Sequence, residues 1–146
     1  MSFTNDLSFG KQYETKFLDY LDYNEYDEIE VCPNTRFTDW DIRIKKGNVY
    51  TSYEIKADKR SASTGNLCIE YECSGLPSGI STTQADYYGY FVVGTKEECY
   101  LIPTGVLRSA CSEPNVRECR CGDGYRARAY LLPLRNFQHY RIEKKR

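Results

Sequence analysis

The sequence predicts an α/β domain with a mixed central β-sheet flanked by helices. Three stretches carry that expectation. Ser8 to Tyr23 places Phe9, Tyr13, Phe17, Leu18 and Leu21 at helical spacing, the stripe of an amphipathic helix. Trp40 to Ala57 reads as two strands around a Lys46-Gly47-Asn48 turn, because Gly and Asn tolerate positive φ. Gly89 to Gly94, GYFVVG, is a short apolar run of the kind that forms a buried central strand. With 146 residues, the chain is expected to form one domain, residues 1–146, large enough for a real core.

In chain order, the first helix carries Glu14 in register with Leu18 and Leu21. A carboxylate leaning toward an apolar stripe is partly desolvated and needs a partner. A helical ion pair with Lys11 is the simple alternative. Tyr26 to Cys32 alternates weakly and is expected to be a strand, and Pro33-Asn34 turns the chain. In the hairpin, Trp40, Ile42 and Ile44 fall on one face and Asp39, Asp41, Arg43 and Lys45 on the other. Val49 to Ala57 has strand composition, with Glu54 and Lys56 on one face and Ile55 on the other.

Ala57 to Asn66 is polar, contains Lys59 and Arg60, and is expected to be a loop. Leu67 to Glu72 is expected to be the third strand of the meander, with Leu67, Ile69 and Tyr71 inside and Cys68, Glu70 and Glu72 outside. Ser74 to Ile80 is turn-rich. Thr83 to Tyr88 is expected to be a helix capped by Ser81, Thr82 or Thr83, with Gln84 and Tyr88 on one face. Cys99 to Pro103 is a strand, Thr104 caps a short helix over Gly105 to Ala110, Cys111 to Tyr125 is a long loop, and Arg126 to Leu134 returns as a strand. His139, the sole histidine, lies in a polar tail and is expected to be exposed.

Composition narrows the class. Hydrophobic residues at 40% and charged residues at 28% fit a soluble globular protein. No apolar run is long enough to span a membrane, and the first residues lack the layout of a signal peptide, so an intracellular protein is expected. The net charge of −1 does not suggest nucleic-acid binding, but its distribution is uneven. Acids dominate before Val31, and arginines and lysines dominate after Pro103. A basic half could face phosphates, the two halves could neutralise each other in a homodimer, or the basic end could be a solvated tail. Seven cysteines, an odd number, favour free thiols in a reducing compartment. Cys68 and Cys99 lie in apolar strand contexts and read as core, whereas Cys111, Cys119 and Cys121 could form part of a zinc site with unusual spacing.

The chemistry concentrates where the hairpin strands end. Asp41, Glu54 and Lys56 would place two carboxylates and an ammonium close together, and carboxylate oxygens suit a hard divalent cation. The simpler reading is a surface hairpin with ordinary charges on its solvent face. This stretch resembles the PD-(D/E)xK nuclease superfamily, in which an acid on one strand is followed by Asp/Glu-x-Lys on the next. Here the pattern appears as Asp41 and Glu54-Ile55-Lys56, and the resemblance covers roughly residues 10–91.

The resemblance implies a restriction-endonuclease-like fold and Mg²⁺- or Mn²⁺-dependent hydrolysis of DNA. It implies that Asp41, Glu54 and the Ile55 carbonyl bind the cation, and that Lys56 orients or activates water. By the same resemblance Glu14 matches the glutamate that many members carry on the first helix, and Gln84 with Tyr88 matches a Gln-x-x-x-Tyr motif of exonuclease-type members. Lys59, Arg60 and Tyr88 are the expected nucleic-acid contacts. Asp39 is the rival for the first acid, and Glu70 could steady the lysine or a second cation. A structure-selective endonuclease acting as a homodimer on DNA, such as a Holliday junction resolvase, is the expected activity. A nuclease-fold module that binds nucleic acid without cutting it is the alternative.

Overall fold

The computed structural model describes residues 3–33 and 39–145; Asn34 of the expected turn lies outside them. The chain forms a mixed α/β structure built on two sheets. The larger has six strands in the order β1 (Glu28–Val31), β2 (Ile42–Lys46), β3 (Val49–Asp58), β6 (Tyr87–Val93), β7 (Glu97–Pro103) and β10 (Arg141–Ile142). The smaller runs β5 (Leu76–Pro77), β4 (Asn66–Cys73), β9 (Ala127–Pro133), β8 (Arg117–Cys121). Helices α1 (Phe3–Phe17), α2 (Ser61–Thr64) and α3 (Thr104–Cys111) flank them. No helix among the described residues is long and apolar enough to cross a membrane.

The predicted hairpin is present. β2 and β3 pair antiparallel, Ile42 opposite Tyr53 and Lys46 opposite Val49, and Gly47 takes φ +59° in the turn. β1 adds antiparallel to β2. On its other edge β3 pairs with β6 in parallel, Glu54 opposite Tyr88 and Lys56 opposite Tyr90. A parallel pair needs a crossover, and residues 59–86 supply it, carrying α2, β4, β5 and the 3-10 turn Gly79–Ser81.

Several expectations are corrected. Leu67 to Glu72 does form a strand, but it is not the third strand of the meander. Its inward residues Leu67 and Ile69 are fully buried in a core shared with Tyr88, Tyr90 and Val92, so it stacks on the main sheet and pairs with β9. Residues 83–86 are not helical, and Tyr87 and Tyr88 begin β6. The β-branched and aromatic run that follows draws both tyrosines into the strand. The expected loop from Cys111 to Tyr125 contains β8, whose Arg-Glu-Cys-Arg-Cys sequence shows no apolar alternation to mark it. The first helix is regular only to Phe17, followed by a 3-10 turn at Leu18–Tyr20, and Leu21 is already extended.

α1 docks on the main sheet through aromatic rings. Tyr13 and Tyr20 contact Phe91 at centroid distances of 4.9 and 5.5 Å, and Phe17 contacts Tyr53 at 5.0 Å. Phe17 stands directly over Gly89, where an added Cβ would lie 2.6 Å from the ring. The Glu97 carboxylate accepts hydrogen bonds from Tyr13 Oη and Lys16 Nζ and ties the helix to β7.

The crossover turn is sterically fixed at Gly79. Its φ is +53°, and a Cβ there would stand 2.2 Å from the backbone oxygen of Glu70. Gly79→Ala is therefore expected to destabilise the protein by about 3 kcal/mol or more, from left-handed strain plus a backbone clash. A urea midpoint lowered at unchanged slope is the expected result; a loss below ~0.5 kcal/mol contradicts the account.

Candidate functional site

β2 begins at Ile42, so Asp41 stands just beyond the hairpin ladder while β3 continues. The Asp41 carboxylate fills the vacated position: its Oδ2 accepts the Ile55 N–H at 2.7 Å. The backbone of Asp41 remains tied on both sides, its N–H donating to the Tyr53 carbonyl at 2.9 Å and its carbonyl accepting from Cys32 N–H at 2.7 Å. The carbonyl of a strand residue leaves on the same edge as its N–H, so the Ile55 carbonyl opens toward this notch as well.

Glu54 and Glu14 lie on opposite faces of the sheet. Tyr53 and Ile55 belong to the core beneath α1, so alternation puts Glu54 on the far side of β3. There the Thr83 hydroxyl donates to Glu54 Oε1 at 2.7 Å. Thr83 is buried, and the Arg108 guanidinium fixes its carbonyl at 2.7 Å. Glu14 comes from α1 and lines a cleft of about 170 Å³ with Lys11, Thr15, Leu18, Val31 and Ile42.

The electrostatics of the three acids agree in direction. Burial, then the charge of Asp41, pushes the Glu54 carboxyl up to about 8. Burial, then Asp41 again, raises Glu14 to about 7, with Lys11 opposing. Asp41 is raised by burial, against the Ile55 N–H and a hydrogen bond shared with Glu54. Carboxyls that crowd and dehydrate one another hold their protons to higher pH than free carboxyls do. A divalent cation can take the place of those protons. The available donors are all oxygen, the kind that suits Mg²⁺ or Mn²⁺, but only Asp41 and Glu54 are direct neighbours, and the oxygens of Glu14, Asp41 and Glu54 do not all come within 4.8 Å of one another.

The remaining expected site residues are placed differently. Lys56 shares the Glu54 face of β3 and is half-buried, but its charge acts on Asp58 and on Cys68 and Cys121. The cation acting on Asp41 and Glu14 is Lys11. Gln84 is exposed in an irregular segment, and its N–H donates to the Asp39 carbonyl at 2.7 Å. It shares no helix face with Tyr88, which is 4% exposed and locked in the core. Tyr88 is therefore removed as a nucleic-acid contact, and the Gln-x-x-x-Tyr helix is not formed. Lys59 and Arg60 are exposed, Lys59 lying 4.3 Å from the centre of the Phe9 ring. Asp39 is exposed, and Glu70 accepts from Ser78 Oγ at 2.8 Å. His139 is exposed, as expected.

Two functional features escaped the sequence. Thr83 as the partner of Glu54 is invisible from spacing, since 29 positions separate them. Asp58 extends the polar face of β3, accepting from Tyr90 Oη at 2.6 Å and Ser61 Oγ at 2.7 Å. Burial works against its charge, but these hydrogen bonds win and lower its pKa. The Glu54, Lys56, Asp58 alternation was its one local clue.

Comparison with protein-family models, with curated protein sequences and with solved structures finds no match to the chain.

Proposed function

We propose that the chain is a metal-dependent nuclease of the PD-(D/E)xK type, hydrolysing DNA phosphodiesters at the notch between β2 and β3. The observation that carries this reading is the adjacent, buried pair Asp41 and Glu54, with Glu14 of α1 close enough to feel the Asp41 charge and all three shifted toward the protonated form. Structural surface acids seldom cluster in a desolvated cleft, whereas catalytic carboxylates do. The parallel β3–β6 pairing supports it too, because it holds Glu54 in the sheet centre rather than on a free edge.

In this reading Asp41, Glu54 and the Ile55 carbonyl would hold Mg²⁺ or Mn²⁺, with Glu14 completing the shell or holding a second ion. The cation supplies Lewis acidity toward the phosphate and toward a water nucleophile. The chain's own contribution is placement. Ile55 N–H fixes one Asp41 oxygen, and Thr83 fixes one Glu54 oxygen, so the other oxygens have few orientations left. Lys56, half-buried and without an ion pair among the described residues, is the ammonium that would orient water. Lys59 and Arg60, exposed beyond the end of β3, would meet the phosphate backbone. A homodimer would supply two sites for paired cuts, as a branched junction requires.

A second reading is a nuclease-fold module that binds DNA without cutting it. It is favoured by one observation: the Lys56 charge is felt by Asp58 and the cysteines rather than by Asp41 and Glu54. Linear duplex, nicked duplex, flap, four-way junction and single strand, incubated with Mg²⁺, Mn²⁺ or chelator, separate the two. Cation-dependent cleavage lost in Lys56→Ala, with binding kept, is the expected result. Binding that is equal in chelator and in Mg²⁺, with no product from any substrate, overturns the nuclease.

A further inference from the structure

The smaller sheet carries a cluster of a different chemistry. The Sγ atoms of Cys68, Cys119 and Cys121 all lie within 4.8 Å of one another. Cys68 is on β4 and the other two are on β8, and the strands are separated by β9. The sulfurs converge diagonally across β9. Cys119 and Cys121 stand opposite Ala129 and Ala127, whereas Cys68 stands opposite Leu131 on the same strand. Next to the β8 cysteines the middle strand presents only methyl groups, on alanines that are 0% and 3% exposed.

This arrangement is poorly suited to a disulfide. Strands two apart in a sheet are ~9.6 Å from each other, and residues i and i+2 of one strand are ~6.7 Å apart. A disulfide needs Cα atoms roughly 4.4–6.8 Å apart, closer than the regular spacing between strands two apart, and all three cysteines are free thiols. A metal bridges wider gaps. With bonds of about 2.3 Å to a tetrahedral ion, thiolate sulfurs sit ~3.8 Å apart. The three sulfurs, all within 4.8 Å of one another, are grouped on that scale.

We propose that Cys68, Cys119 and Cys121 form a three-thiolate site for a soft divalent cation of the zinc class, with the fourth position open to water or an added ligand. Cys111, which the sequence grouped with Cys119 and Cys121, ends α3 and packs instead against the core. Cys68 replaces it. Three thiolates and one divalent ion carry one net negative charge, and Lys56 is the cation whose field reaches Cys68 and Cys121. The ion would pin β4 to β8 across β9. The site stands independently of the nuclease reading, because its ligands are sulfur and those of the notch are oxygen.

The test uses the full chain purified in thiol reductant without chelator. Elemental analysis should find about one zinc per chain, and replacement by Co²⁺ should give the intense near-ultraviolet thiolate-to-metal band and the visible bands of a tetrahedral site. Zinc should raise the melting temperature of the wild type and leave that of Cys121→Ser unmoved. The double variant Cys119→Ser, Cys121→Ser should lose the metal, and Cys111→Ser should keep it. The Co²⁺ titration of the wild type needs no variant to fold. Absence of the thiolate band in the reduced wild type overturns the proposal, as does an undiminished band in the double variant.

Discussion

Replacing Glu54 by glutamine is expected to do two opposite things. Cleavage should fall by at least about 10³-fold, because a cation ligand at the reacting phosphate supplies several kcal/mol. In chelator, the same variant should be more stable than the wild type at alkaline pH. The sign follows from the carboxyl being raised to about 8 by burial and by Asp41. Between the ordinary carboxylate range and pH 8, the folded protein holds a proton that the unfolded chain releases, so stability falls as pH rises. The contribution is complete at acid pH and is lost on passing through about 8.

Glutamine has no proton to lose, keeps the shape, and retains an oxygen that accepts from Thr83. A rise from 4.5 to about 8 sets an upper bound of ~5 kcal/mol, of which relaxation and water entry leave roughly 2–4. Mg²⁺ should restore alkaline stability to the wild type and do nothing for the variant. Urea unfolding at pH 5.5 and pH 8.5, each with and without Mg²⁺, measures all of it. A variant less stable than the wild type at pH 8.5 in chelator would show that the notch does not repel charge. Cleavage at the wild-type rate would instead remove Glu54 from the chemistry.

The second large effect is expected at Phe17. The side chain is fully buried, its ring 5.0 Å from Tyr53 and 6.5 Å from Phe91, and it lies against Gly89. Phe17→Ala should cost about 3–5 kcal/mol, the transfer free energy of the ring plus the cavity it leaves. Phe17→Leu, which refills most of that volume, should cost about 1–1.5 kcal/mol. The consequence reaches the site, because α1 also carries Glu14. A helix loosened at Phe17 holds Glu14 less firmly within the field of Asp41. Mn²⁺ affinity should therefore fall in the order wild type, Phe17→Leu, Phe17→Ala, while Ile142→Ala, at the far edge of the same core, should leave it unchanged. Calorimetric titration reads the order, and equal affinity in all four proteins would uncouple the helix from the site.

The hairpin, Gly47 in its turn, the buried GYFVVG strand and the aromatic stripe of α1 were legible because each is a local pattern. Alternation, helical spacing and turn chemistry are properties of neighbours in sequence, and they survive folding unchanged. Gln84 and Tyr88 show where that reasoning fails. Their spacing suits a helix, yet Tyr88 gains more by burial in β6 beside Tyr90 and Val92 than an isolated helical turn of six residues could return. β8 was hidden for the complementary reason: its arginines face water and its cysteines face two alanines, so no apolar period announced it.

The sequence by itself determined that Asp41 and Glu54 come side by side, since Asp41 leads into β2, Glu54 lies within β3, and the register of the two strands is set by their own alternation. Only the tertiary structure decided what each one meets. Thr83, Lys11 and Glu14 arrive from distant segments, and the charge of Lys56 bears on Asp58 and the thiols. Cys68 joins Cys119 and Cys121 only because β9 brings β4 and β8 into one sheet. Such meetings depend on how sheets stack and helices dock, and those are set by the whole buried surface rather than by any single stretch of chain.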